Sequence, residues 1–270
     1  MLEHHETSPD RTEAPRVKMK DKIGSKDTSI HSRRPNKAFY KLKHLLPGAA
    51  GMAGTAGYVN SVVLGFFLSP VSHMTGAVSR LGLDVADKSG VRDVWSDLGI
   101  ILGFLAGATI AGLMVGARRL APNRRFGLAL ISEGLLLGLA TVLLRSGHRL
   151  GLPAAALACG LQNAIGSSYC GLQIRTTHVT GMVTDLGLMI GHWMRLHVVD
   201  RRKFVFYATV FIAFGVGGYI GAVADNHYGP LSLVLPAGGL IVTGFVYWFA
   251  VVRYGINILP PPPLPEPPPK

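Results

Sequence analysis

The sequence predicts an all-α membrane protein: a polytopic helix bundle of about six transmembrane helices in two inverted three-span repeats, plus two short half-helices. Three observations lead to this fold class. Charged residues make up 16% of the chain and hydrophobic residues 49%, whereas a soluble domain carries roughly 25% charge. Long stretches without charge recur along the chain, and one motif is present twice. The 34 glycines also suit helices that pack closely within a bilayer.

Six apolar stretches are each long enough to cross a bilayer, which takes about 20 residues of helix. Five of them contain no charged residue, and the third contains a single glutamate. Lipid admits only helices or closed barrels, and the alternating pattern of a barrel strand is absent. We therefore predict transmembrane helices over residues 48–68, 98–117, 126–144, 152–171, 204–224 and 231–252.

The chain divides into two polar tails and one membrane domain. Residues 1–43 hold too few apolar side chains to order themselves, and they lack the hydrophobic region of a signal peptide. Residues 44–252 form the membrane domain, with repeat one over 44–144 and repeat two over 152–252. Residues 253–270 are rich in proline and favour a polyproline II tail, which serves as a passive spacer or as a ligand for an SH3-type groove.

The charge distribution predicts the orientation. The net charge is +12, and 11 of the 27 basic residues lie in the first 43 positions. A basic tail of this kind is expected to contact anionic lipid headgroups, because nucleic-acid binding needs basic residues on a folded face. With the N-terminus inside, 22 basic residues lie on the inner side and 5 on the outer side. The positive-inside rule therefore predicts that both termini are cytoplasmic.

The motif that is present twice, here called HxTG, defines the internal repeat. It is written VSHMTGAVSRLGL at residues 71–83 and TTHVTGMVTDLGL at residues 176–188. Further matches pair GYVN, which starts at Gly57, with GLQN, which starts at Gly160, and FLAGATI at Phe104 with FGVGGYI at Phe214. Because each copy holds three predicted spans, the second copy starts from the opposite side of the membrane. Inverted repeats of this kind are a recurring plan of secondary transporters, with the site near the midplane.

The HxTG segments are the predicted solute site. A helix after either motif covers about 12 to 14 residues, or roughly 20 Å, which is short of a ~30 Å hydrocarbon core. We expect the threonines to be N-caps, the glycines to permit close approach and the histidines to act as switchable donors at helix ends that attract anions. Re-entrant and interfacial placements both remain open. Together with two repeat-related asparagines and one arginine, the candidate residues are His73, Thr75, Gly76, His178, Thr180, Gly181, Arg175, Asn60 and Asn163.

Arg80 in the first copy occupies the position of Asp185 in the second copy. Two-fold symmetry would bring equivalent positions toward one axis, and charges at depth are usually paired. We therefore predict an ion pair between Arg80 and Asp185. The alternative is that each side chain faces water on its own.

Glu133 is the one acidic residue inside an otherwise uncharged predicted span. A carboxylate within a membrane is a functional hypothesis by default, here as a proton-coupling residue. The alternative is that Glu133 extends toward the cytoplasmic surface or pairs with Arg124 or Arg125.

No constellation in the sequence predicts an enzyme, a cofactor or a metal site. HExxH, GxSxG and Walker A patterns are absent. His178 and Asp185 would lie about 10 Å apart on one helix face, which is too far for an acid-base dyad. Cys159 and Cys170 offer no metal or disulfide spacing, and His4 and His5 are expected to be a solvated pair. We therefore predict that the protein is not an enzyme.

The segments GYVNSVVLGFF with HMTG, and GLQNAIGSSYCGLQIRTTHVTGMVTDLG, resemble the YoaK-like family of bacterial integral membrane proteins, a family of unknown function. The resemblance covers residues 45–252 and implies a multi-span protein of the bacterial inner membrane. The positions that carry the motifs are Gly160, Leu161, Gln162, Asn163, Arg175, Thr176, Thr177, His178, Thr180, Gly181, Thr184, Asp185 and Gly187.

These observations predict a secondary transporter or channel-like protein for a small solute, with an anion favoured by the helix N-termini. A non-transporting structural or regulatory membrane protein with interfacial HxTG helices is the alternative, and an intramembrane enzyme is the third option. The expected partners are the lipid bilayer and the solute. The sequence makes no prediction about the oligomeric state.

Overall fold

A computed structural model describes residues 42–68, 71–86, 91–115, 124–167 and 177–254. The predictions about both tails, Arg175 and Cys170 fall outside these residues. The described part is entirely helical. Its elements are α1 (Leu42–Phe67), α2 (Met74–Ala86), α3 (Val91–Val115), α4 (Arg124–Arg145), α5 (Gly151–Ser167), α6 (Val179–Leu196), α7 (Arg201–Tyr228), the 3-10 helix η1 (Gly229–Leu233) and α8 (Val234–Tyr254).

Three helical stretches are long and apolar enough to cross a membrane: Val94–Met114, Arg124–Arg145 and Arg201–Arg253. The third is 53 residues long and contains α7, η1 and α8. These stretches, together with the apolar side chains on the outer faces of the helices, indicate a membrane protein. The predicted span at 48–68 corresponds to α1, and the span at 152–171 corresponds to α5, which is 17 residues long. The number of six spans stays a prediction.

The most extensive helix pairs join the two predicted repeats. α1 packs on α7, α3 on α5 and α4 on α8. Each pair involves glycines at which an added methyl group would collide with the facing backbone, for example Gly57 with Phe214 and Gly160 with Phe104. Close approach of backbones through small residues is how helices associate in lipid, where no hydrophobic effect drives them together.

The direction of each pair follows from successive contacts along the helices. On α1, Gly57 faces Phe214, and eight residues later Gly65 faces Asp225, so α1 and α7 are parallel. On α3, Gly99 faces Pro153 and Gly107 faces Leu157, so α3 and α5 are also parallel.

The third pair runs the other way. Gly127 near the start of α4 faces Gly244 of α8, and Gly134 further along α4 faces Ala237, an earlier residue of α8. The helices α4 and α8 are therefore antiparallel.

Candidate functional site

The chain after α1 turns back into the bundle. α1 ends at Phe67, yet six residues later His73 lies beside Asn60, with its Nδ1 atom 3.1 Å from Asn60 Oδ1. Asn60 lies seven residues before the end of α1, which is about 10 Å along the helix axis. Val71 and Ser72 in the returning segment are buried. The first HxTG motif therefore starts about 10 Å below the end of α1.

α2 begins at this depth and rises again. The His73 carbonyl accepts the Ala77 N–H at 3.1 Å, which makes His73 the residue that opens the helix. Two turns later, Arg80 Nη1 donates to the carbonyl of Leu68, just past the end of α1, at 2.7 Å. The N-terminus of α2 is therefore the deep end and Arg80 the shallow one, a geometry that favours the re-entrant placement over the interfacial one for the first copy.

Asn60, Ser72 and His73 form a small hydrogen-bonded cluster at the deep end of α2. Ser72 Oγ donates to Asn60 Oδ1 at 2.7 Å, and His73 Nδ1 lies 3.2 Å from Ser72 Oγ. Because the one proton of the Ser72 hydroxyl is used on Asn60, the proton of neutral His73 belongs on Nδ1. The Nε2 atom of His73 is then a hydrogen-bond acceptor.

The environment of His73 favours its neutral form. The imidazole packs edge-on against the Phe214 ring of α7, with a centroid distance of 6.0 Å and an interplanar angle of 89°. Burial lowers the pKa of His73 below its ordinary value of 6.5, because a half-buried site solvates the imidazolium poorly.

Arg80 pairs with Asp97 of α3, and the predicted pair between Arg80 and Asp185 is wrong. The Nη2 atom of Arg80 lies 2.9 Å from Asp97 Oδ1, and the Asp97 side chain is fully buried. Asp185 is exposed on α6. The prediction failed because it assumed that equivalent positions lie near one axis, whereas α2 packs on α3, α6 packs on α7, and no contact joins α2 to α6 in the described residues.

The second HxTG motif is arranged differently. His178 is exposed, and its ring lies over Gly181, where an added methyl group would strike the imidazole. Met182 is the one buried residue of the 18-residue helix α6 and packs against α1 and α7. Its repeat equivalent, Ala77, is likewise the one buried residue of α2. The two helices thus use the same position as an anchor but surround their histidines differently.

The predicted threonine N-caps are wrong in both copies. α2 begins at Met74 and α6 at Val179, so Thr75 and Thr180 lie within the first turn and are exposed. His178 is the N-cap of α6 and makes no side-chain cap hydrogen bond. A histidine is an unusual N-cap because its ring is a poor substitute for the short oxygen-bearing side chains that normally accept these N–H groups.

Glu133 lies inside the bundle. Only 2% of it is exposed, and its Oε2 atom has no hydrogen-bond partner within the described residues. Arg124 and Arg125 are exposed at the beginning of α4, more than two turns before Glu133. Extension of Glu133 toward the membrane surface, the alternative suggested by the sequence, is therefore wrong.

The sequence analysis gave no structural role to three polar residues that the structure buries. Ser72 and Asp97 complete the environment of the first motif, and Gln162 of α5 donates its Nε2 to the Met52 carbonyl of α1 at 3.1 Å. Ser72 precedes His73 directly, so its position next to the motif was an available signal. Asp97 gave no signal, since an aspartate near the start of a span is usually solvated.

The second copy does not reproduce the cluster of the first. Asn163, the equivalent of Asn60, is partly buried on α5, while Thr177 is buried beside the exposed His178. Among the described residues, no group of three or more His, Cys, Asp or Glu side chains could hold a metal ion.

Comparison with known proteins identifies the family but no activity. A family model described as a protein of unknown function, DUF1275, matches residues 48–246. The chain belongs to this family. The matched region begins in α1 and ends in α8, so it covers both HxTG motifs and the Asn60 cluster. No curated protein and no solved structure matches the chain.

Proposed function

We propose that this DUF1275 member is a six-span membrane protein built from two inverted repeats and that it transports a small solute. The proposal rests on equivalent helix contacts in which each repeat packs against the other. Gly57 of repeat one approaches Phe214 of repeat two, and the equivalent residues Gly160 and Phe104 approach each other in the same way. A two-fold relation between the repeats produces such swapped contacts.

A second pair of contacts supports the same relation. Gly107 of α3 faces Leu157 of α5, and Gly217 of α7 faces Gly54 of α1. In the alignment that the repeated motifs define, Gly107 corresponds to Gly217 and Leu157 to Gly54. In both pairs, α1 with α7 and α3 with α5, one helix therefore comes from repeat one and the other from repeat two.

The helix directions favour six spans. If α2 and α6 both crossed the membrane, α4 and α8 would be parallel, whereas they are antiparallel. If only α2 crossed, α1 and α7 would be antiparallel, and if only α6 crossed, α4 and α8 would again be parallel. The observed directions agree with α2 and α6 both remaining on the side from which they enter.

Transport is the function that this arrangement supports best. Inverted repeats with short or broken helices at matching positions are a plan that secondary transporters use, with the helix N-termini directed at the substrate. The deep N-terminus of α2, with Asn60, Ser72 and His73 around it, is a site of this kind. We propose a small anion as the first solute class to test, because a helix N-terminus carries a partial positive charge.

A non-transporting structural or regulatory role is the second candidate, and α6 favours it. Along this helix Val183, Leu188, Ile190, Trp193, Met194 and Leu196 are all exposed. A helix with one buried anchor and a large exposed apolar surface is also what an interfacial helix looks like.

Flux measurements separate the two candidates. Purified protein in liposomes would be supplied with labelled sulfate and labelled inorganic phosphate as anionic probes, and with labelled urea as an uncharged one. We expect anion uptake in wild type that His73→Ala abolishes, while the control His192→Ala, an exposed histidine outside the motif, retains it. Absence of uptake of every probe by folded protein would contradict transport and favour the structural role.

Cysteine accessibility tests the proposed topology. In a background without Cys159 and Cys170, single cysteines would replace Ser89, after α2, and Asn123, before α4. Labelling of Ser89→Cys from outside, with Asn123→Cys labelled only after permeabilisation, is expected for six spans with cytoplasmic termini. The reverse labelling pattern would refute six spans with cytoplasmic termini.

A further inference from the structure

Glu133 lies on the face of α4 that is enclosed by neighbouring helices. Leu130 and Leu137, one turn before and after it on α4, are buried with it. The adjacent Gly134 faces Ala237 and Ile241 of α8, and Cys159 of α5 belongs to the same buried cluster as Leu130 and Leu137. The site is nine residues into α4, about 13 Å along the helix, which is near the middle of a ~30 Å hydrocarbon core.

Among the residues that the structure describes, no other ionisable group near Glu133 can balance a charge on it. Cys159 is the titratable residue on α5 that faces it, and a thiol supplies no positive charge. On α8, Tyr247 packs against Phe126, two turns from Glu133, and Arg253 is still further along the helix. On α3, Asp97 is already paired with Arg80, and η1 has no ionisable residue.

A carboxylate in such a place is unstable as an anion. Transfer of an ionised carboxylate from water to an apolar interior without a partner is so unfavourable that the group takes up a proton instead. Glu133 therefore holds a proton in the described conformation. Its Oε2 atom is buried and has no hydrogen-bond partner among the described residues. A structural hydrogen bond to this atom therefore does not explain why an acid is present at this position.

We propose that Glu133 is the proton-binding site of the transport cycle, which makes H⁺ the coupling ion. This inference rests on the proposed function. In the enclosed conformation the carboxyl group is protonated. When the bundle opens and water reaches Glu133, the carboxyl O–H bond breaks, the proton passes to water and the carboxylate remains. A proton from the other side must restore the O–H bond before the site can close again, so each closure carries one proton.

Infrared spectroscopy tests the bound proton without knowledge of the solute. A protonated carboxyl group in an apolar site has a carbonyl stretching band that a carboxylate lacks. We expect this band in wild type at neutral pH, its loss in Glu133→Gln, and its retention in Asp185→Asn, which removes an exposed carboxylate. Identical spectra of wild type and Glu133→Gln would overturn the inference.

Labelling with dicyclohexylcarbodiimide provides a second measurement, because this apolar reagent adds to protonated carboxyl groups in membranes. We expect the label on the peptide that contains Glu133. We expect no label on that peptide in Glu133→Gln, which lacks the carboxyl group. Equal labelling of that peptide in wild type and Glu133→Gln would contradict a reactive acid at this position.

Flux measurements then separate coupling from transport. For the anionic probe that wild type moves, an imposed pH gradient is expected to accelerate uptake at least tenfold. In Glu133→Gln the gradient should have no effect, while exchange of labelled for unlabelled probe continues. If wild type exchanges the probe but does not respond to the gradient, transport stands and the proton site is refuted. If wild type moves no probe, transport and its coupling are both refuted, whatever the infrared result.

Discussion

The two HxTG motifs have nearly the same sequence but different surroundings. In the first copy His73 is half-buried, hydrogen-bonded to Asn60 and packed on Phe214. In the second copy His178 is exposed, and its ring lies over Gly181 in the first turn of its own helix. The helix pairs around the motifs, in contrast, repeat closely. The two copies therefore share their helix contacts but differ in the surroundings of their histidines.

The largest expected difference between the copies concerns their charged residues. Asp97→Asn removes the charge that balances Arg80 in a buried pair, and we expect a loss of about 3 kcal/mol in the free energy of unfolding. Asp185→Asn, at an exposed position, should change it by less than about 0.5 kcal/mol. Chemical unfolding in detergent, followed by tryptophan fluorescence, measures both. Equal losses would show that the second copy also holds a buried charge pair.

The scaffold glycines should show no such difference. Gly57→Ala and Gly160→Ala each place a methyl group against a facing backbone, so we expect both to destabilise the protein by about 2 kcal/mol. Gly82 and Gly187 have open space around them and are the repeat-related controls, at which alanine should stabilise the helix by about 0.5 kcal/mol. A large effect at Gly57 with none at Gly160 would argue against the two-fold relation.

The histidines should differ by a smaller amount. His73→Ala removes a hydrogen bond to Asn60 and a ring contact, so we expect a loss of about 1 kcal/mol. His178→Ala should be nearly neutral for stability, because its ring is exposed. Thermal unfolding of both variants in the same detergent measures the difference, and the reverse order would mean that the second motif is the buried one.

The smallest effect is the dependence of stability on pH. Since burial lowers the pKa of His73 in the folded protein, the unfolded state binds a proton more readily. The contribution of His73 to stability is therefore complete above about pH 6.5 and is lost as the pH falls from there to the lowered folded value. His73→Gln should flatten this part of the stability curve, which unfolding measured at several pH values would show. A steeper curve in His73→Gln would contradict the assignment.

The sequence predicted the helices and the candidate motifs better than the contacts between side chains. The re-entrant and interfacial placements of the first motif were both left open, because the sequence does not show that the chain returns to Asn60 after Phe67. Each of the two helices begins one residue before the threonine that was predicted as its N-cap, at Met74 and at Val179. The prediction relied on the preference of N-cap positions for threonine, which does not show where the helix begins.

The charge pair was predicted wrongly for a different reason. The partner of Arg80 depends on which helices pack together, and α2 lies against α3 rather than against its own repeat equivalent. Asp97 could not have been chosen by sequence symmetry, because its repeat-aligned position is a tyrosine, Tyr207, and the two copies have diverged there.

The exchange of helices between the halves also affects how the protein is made. α1 packs mainly on α7, which is synthesised on the order of a hundred residues later. At a synthesis rate of about 10 residues per second, α1 enters the membrane on the order of ten seconds before its main packing surface exists. During that interval the glycines of α1 have no partner helix, so nascent chains that stop before α7 should be the natural targets of membrane chaperones and quality-control proteases.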